Sequence, residues 1–275
     1  MRRRFADLAW GQIHYLDAGS GGPAPLLMLH GGASNGRALQ PLGSALAAGR
    51  RVILPDVPGC GDSDPLPIAA PAIEDFAAAL VGFIDTLGLA RVDLHGGHLG
   101  ARIAMATALA HPGRVRRVIL DGMGFYDDAS RAAMLAEVAP EIVPDADGLY
   151  LFRAFQMCRD YFLFFPWFRR DAASRRPTGL PAAGAIHTKL MEVLKNGRSY
   201  PLPYRAALVY PTEAKLPLLR HPTLLAAAVT DNVFPQLARA VALLPGAATA
   251  ETPGSSDAAS LAATAARFAG FLDSA

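Results

Sequence analysis

The chain has 275 residues, a net charge of +2 with its histidines neutral, and 52% hydrophobic against 18% charged residues. That balance excludes a disordered chain and suits one large domain, or one domain with an insertion. The scattered basic residues leave no footprint for nucleic acid, no run of about twenty apolar residues exists to span a membrane, and Cys60 and Cys158 make no disulfide framework.

In chain order, "MRRRFADLAW" opens with positive charge but no apolar run of signal-peptide length follows, so the expectation is a cytoplasmic protein. "GQIHYLD" (11–17) alternates like a strand and "AGSGG" turns the chain. "PLLML" (25–29) reads as a buried strand ending at "HGG". "GRALQPLGSALAAG" has helical spacing and ends on glycine. "RRVILPD" is the next strand, followed by the loop "VPGCGDSDPL". "IEDFAAALVGFIDTLGL" (73–89) is an amphipathic helix with acids in its first turn. The strand "RVDLHG", a helix over 99–110, the strand "RVRRVILDG" and a late strand "PTLLAAAV" (222–229) continue the alternation. Strands alternating with helices predict an α/β fold, a mostly parallel central sheet flanked by helices.

The segment from about 124 to 212 breaks this rhythm with "LYLFRAFQMCRDYFLFFPWFRR" and several prolines. It predicts a helical cap or lid insertion over 124–212, with residues 1–123 and 213–275 forming the core domain. Its arginines Arg153, Arg159, Arg169, Arg170, Arg175 and Arg176 would pair with a substrate carboxylate or phosphate if they point inward; such residues are more often solvated. Tyr126 and His187 are further candidates for a pocket lining.

The ordered set "LLMLHGG", "RVILPDVPGCGDSD", "LHGGHLGARIA", "HPGRVRRVILDG", "PTLLAAAVTDNVFP" and "ETPGSS…RFAGFL" resembles the α/β-hydrolase superfamily over nearly the whole chain outside the insertion. In that superfamily a G-x-S-x-G elbow presents a serine nucleophile between strand and helix. Here the elbow is Gly96-Gly97-His98-Leu99-Gly100: the glycine frame is present and the serine is replaced by histidine. The resemblance places the base histidine on the loop after the last strand, but the last histidine of the chain is His221; Ser255, Ser256 or Asp257 stands at the base position. It also implies an acid at Asp231, just past the second-to-last strand, with Asp121 as a rival. It implies an oxyanion hole from the backbone N–H of Leu99 and of Gly32 or Ala33. His30 and the Asp56–Gly61 loop are read as structural.

A histidine at the elbow is itself a base. At a helix N-terminus its pKa is expected to fall, which keeps the imidazole neutral near pH 7. The expected function is therefore a cofactor-independent hydrolase or lyase using His98 as general base on a small carbonyl or ester-type substrate, with a carboxylate from Asp231 or Asp257 orienting the ring. Direct acylation of the imidazole ranks second. The alternative is a catalytically inactive small-ligand-binding protein of the same fold, since a triad with two changed members is strongly non-additive. No metal is expected: His95 and His98 in "HGGH" are not placed to converge. The expected partner is a small molecule, with neither nucleic acid nor membrane involved, and the sequence leaves the oligomeric state open.

Overall fold

The computed structural model describes residues 1–177 and 179–274. Strands β1 (Arg2–Leu8) and β2 (Gly11–Ala18) form an antiparallel hairpin. They are followed by β3 (Leu26–Leu29), α1 (Gln40–Leu46), β4 (Val52–Pro55), α2 (Ile73–Thr86), β5 (Val92–Gly97), α3 (Leu99–Ala110) and β6 (Val115–Asp121). Five helices come next: α4 (Asp128–Glu137), α5 (Leu149–Leu163), α6 (Ala183–Lys195), α7 (Pro201–Val209) and the short α8 (Thr212–Lys215). The chain then returns to the sheet with β7 (Thr223–Ala228), α9 (Leu237–Leu243), β8 (Ala248–Thr252) and α10 (Ala258–Asp273).

Among the described residues the sheet has eight strands in the order β1-β2-β4-β3-β5-β6-β7-β8. Only the pairings of β2 with β1 and with β4 are antiparallel; the rest are parallel. β3 and β4 are buried at every position, as expected of central parallel strands covered on both faces. One face packs on α2 and α3 through residues such as Phe83, Ile84, Ile103 and Met105; the other packs on α1 and α10 through Leu42, Leu46, Phe268 and Leu272. A third apolar cluster joins Met134, Met157, Ile186 and Tyr200 of the helical segment to Ala33 and Cys60 of the core loops. No helix among the described residues is long and apolar enough to cross a membrane.

The structure departs from the sequence reading in three places. The charged N-terminus is strand β1, an edge strand whose alternation is masked because most of its residues are exposed. The helix expected over "GRALQPLGSALAAG" is broken into a 3-10 turn, Gly36–Leu39, and α1. Pro41 explains the break: without an N–H it starts a helix more readily than it continues one. α2 stops at Thr86 because Gly88, at φ +64°, takes the left-handed conformation that ends a helix.

Candidate active site

β5 runs into α3 through a sharp turn centred on His98, whose backbone has φ 50° and ψ −104°. A non-glycine residue there stores about 1–3 kcal/mol of strain, held by its surroundings. The flanking glycines explain how. A Cβ on Gly96 would fall 2.2 Å from the Gly100 carbonyl oxygen, and one on Gly100 would fall 2.4 Å from that of Leu29. Only bare glycines let the strand, the helix and β3 approach this closely. The His98 N–H donates to the Asp121 carbonyl at 2.8 Å, fixing the turn to the end of β6.

The His98 ring reaches Asp231, with Nε2 2.9 Å from Oδ2. Asp231 lies in the turn after β7, where its own N–H bonds the Ala228 carbonyl and its Oδ1 accepts the Val233 N–H at 3.0 Å. Nε2 is thus the ring nitrogen paired with the carboxylate, and no protein group among the described residues is hydrogen-bonded to Nδ1. Half of the His98 side-chain surface stays accessible on the pocket side. Asp121 touches His95, at 3.5 Å, and not the His98 ring, so the two candidate acids are separated by geometry.

The expected fall in the His98 pKa is overturned. Burial does pull it down, but the hydrogen bond and charge of Asp231, helped by Asp121, outweigh burial and raise it above the ordinary 6.5. A full carboxylate charge at contact distance exceeds the partial charge of a helix end. Asp231 moves the opposite way: burial raises it, and the bond and charge of His98 with the Val233 N–H bring it below the usual carboxylate range.

The ring, Gly31, Gly32, Leu99 and Asp231 line a cavity of about 560 Å³. Neither the Gly32 nor the Leu99 N–H donates to a protein acceptor among the described residues. Ala33, the rival donor, is outside this lining, and its carbonyl binds the Lys189 ammonium. Ser255 and Ser256 line the cavity. Asp257 does not: it caps α10, accepting from the N–H groups of Ala259 and Ser260 and from the Ser260 hydroxyl. Its carboxylate is committed to the helix end.

His30 is buried beneath the glycine loop, bonded to the Gly31 carbonyl and accepting the Val57 N–H, and burial lowers its pKa. Asp56 accepts from Gly36, Asp62 and His14, tying its loop to the core. His14, Asp56 and Asp62 bring donor atoms within 4.8 Å of one another, but that Asp56 carboxylate is already filled by these bonds and Asp62 pairs with Lys195. His95 packs on Phe268 in the core instead of facing the His98 pocket. Of the six cap arginines, Arg176 lines the pocket, Arg159 and Arg170 share the buried Asp160, and Arg153, Arg169 and Arg175 are exposed. Tyr126 lines the pocket; His187 lines a separate cavity beside α6.

Three residues were missed. Gly122 at φ +68° leaves room for the dyad, since a Cβ there would lie 2.9 Å from both Asp231 Oδ2 and His98 Cε1. Tyr204 of α7 lays its ring over Gly32. Arg102 of α3 also lines the pocket. Arg102 carried a signal: it lies four residues after His98, on the same helical face.

Sheet order, elbow geometry and sequence together define a chain of the α/β-hydrolase fold. Residues 24–151 match the family model described as alpha/beta hydrolase fold. The chain is 44% identical over 158 residues, 54% of its own length and 52% of the relative's, to 2-hydroxy-6-oxononadienedioate/2-hydroxy-6-oxononatrienedioate hydrolase 2 of Pseudomonas putida. It is 38% identical over 117 residues, 41% of its length and 40% of the relative's, to 2-hydroxy-6-oxo-6-phenylhexa-2,4-dienoate hydrolase of Burkholderia cepacia. The chain thus spans about half the length, or less, of these curated relatives. The solved structure of the enol-lactonase from Burkholderia xenovorans LB400 superposes with a TM-score of 0.73 at 19% identity, covering 98% of this chain and 100% of that one. A hydrolase from Pseudomonas aeruginosa PA01 gives a TM-score of 0.73 at 17% identity, covering 99% and 98%. Both show the fold.

Proposed function

We propose that this protein is a cofactor-independent hydrolase of a small carbonyl compound, with His98 as general base and Asp231 as the group that orients and stabilises its ring. The 2.9 Å contact between Nε2 and Oδ2 carries the reading, because it engages Nε2 with the carboxylate and so favours the tautomer whose Nδ1 can take a proton. Nδ1 takes a proton from water as the water oxygen bonds to the carbonyl carbon. The carbonyl π electrons move onto oxygen, where the N–H groups of Gly32 and Leu99 receive the charge. The tetrahedral adduct collapses, its bond to the leaving group breaks, and the imidazolium returns the proton to that group. Residues 124–212 serve as the cap over this cavity.

The names of the relatives make 2-hydroxy-6-oxononadienedioate the first substrate to try. His98→Ala should lower its turnover about 10²–10⁴-fold, with the circular dichroism spectrum unchanged. Equal rates in the variant and the parent would remove His98 from the chemistry.

One observation favours the second reading, a ligand-binding protein without turnover. A Cβ on Gly32 would lie 2.2 Å from Tyr204 Cδ2, so the tyrosine ring covers the glycine loop that would supply an oxyanion donor. That reading wins if no carbonyl substrate turns over and His98→Ala binds ligand as the parent does.

A further inference from the structure

α3 is built almost entirely of small and apolar residues, and Arg102 sits in its first half with only 6% of its surface exposed. One guanidinium nitrogen, Nη1, donates to the His98 carbonyl at 3.0 Å, and Nη2 donates to the Gly124 carbonyl. Nε is buried without an acceptor. Among the described residues neutral carbonyls are its only hydrogen-bond partners and no carboxylate pairs with it.

This sets Arg102 apart from Arg50 and Arg116. The buried Arg50 meets Asp273, and Arg116 meets the fully buried Asp93. A buried cation without a counter-ion is unfavourable unless something supplies the negative charge. Arg102 lies where two cavities, of about 560 and 510 Å³, meet. In the larger one the lining charges are His98, Asp231, Arg102 and Arg176. Asp231 is already engaged by His98, while among the described residues Arg176 bonds only carbonyl oxygens, with its Nε also buried and unpartnered. Tyr126 and Tyr204 line the same space, and burial keeps both phenols protonated as donors.

We propose that Arg102, aided by Arg176 from the cap, is the counter-ion site for a carboxylate on the ligand and so selects anionic over neutral ligands. The proposal rests on the reading that this cavity holds the substrate. A carboxylate would accept the guanidinium N–H groups that the two carbonyls leave over, in the charge-assisted geometry that arginine favours.

The probe is sorbate, a six-carbon dienoate, against its uncharged amide, each titrated calorimetrically at constant ionic strength. The parent should bind sorbate roughly tenfold or more tighter than the amide. Arg102→Met should abolish the preference, Arg102→Lys should keep part of it, and Arg176→Met should weaken it less. Arg102→Met also removes two bonds to carbonyls, so a measurement on the parent stands beside it. The Arg102 Nε–H resonance should move with sorbate and stay still with the amide. Equal binding of acid and amide by the parent, an Arg102 resonance unmoved by sorbate, or an intact preference in folded Arg102→Met would each overturn the proposal. His98→Ala separates this test from the hydrolase reading: it should lose turnover yet keep the preference for sorbate.

Discussion

Gly122→Ala drives a methyl group into the contact between His98 and Asp231. The new carbon would lie 2.9 Å from Asp231 Oδ2, 2.9 Å from His98 Cε1 and 3.0 Å from His98 Nε2, where ordinary contacts start at 3.4 Å. The neighbours must therefore yield by about half an ångström. That would open the 2.9 Å dyad contact past the ~3.2 Å limit of a good N–H···O bond. Overpacking of this kind costs about 1–3 kcal/mol, and the left-handed backbone adds roughly 1–2 kcal/mol for any residue with a Cβ. Gly88→Ala isolates the second effect: its φ of +64° nearly matches the +68° of Gly122, but nothing lies within 4 Å of the added carbon. Urea unfolding and an NMR titration of the His98 ring read both variants. Gly88→Ala should lose only the backbone contribution and leave the His98 titration as in the parent. Gly122→Ala should lose more and titrate at lower pH, because the bond and charge of Asp231 that raise the His98 pKa are weakened. Equal losses in the two variants, with an unmoved His98 titration in Gly122→Ala, would refute the reasoning.

Two further outcomes follow from the same contacts. Asp257→Ala should lower the melting temperature, because α10 loses its cap, yet leave turnover intact; loss of turnover without loss of stability would return Asp257 to the chemistry. The dyad's contribution to stability, read as parent minus His98→Ala by urea unfolding across pH, should be greatest between the ordinary values of 3.8 and 6.5. The raised His98 pKa makes it fade as pH rises through the folded value, and the lowered Asp231 pKa makes it fade as pH falls through its own. A difference that grows on the alkaline side would contradict the signs.

The features legible in the sequence are those set by short spacings. The Gly96 and Gly100 frame specifies the elbow because its steric demand is local, and Asp231 could be placed because it directly follows an apolar strand. The cap of α10 is also readable, since Asp257 immediately precedes a helical run. The rest depends on contacts between distant segments. No local pattern says that Tyr204 of α7 covers Gly32, or that Gly122 makes room for two side chains from β5–α3 and the β7 turn. The direction of the His98 shift was missed for the same reason: it is decided by how close Asp231 lies, and the helix terminus is only the part of that environment that the sequence displays.

The central claim, that His98 works as a base held by Asp231, is tested most directly by the pH dependence of kcat/KM for hydrolysis of 2-hydroxy-6-oxononadienedioate. Only the neutral ring can take a proton, and Asp231 raises the pKa of that ring. The rate should therefore climb with pH through a midpoint above the free-histidine value of about 6.5 and then level off, at the same midpoint that NMR gives for the His98 ring. A profile that is flat, or that climbs through a midpoint below that value, would contradict the account.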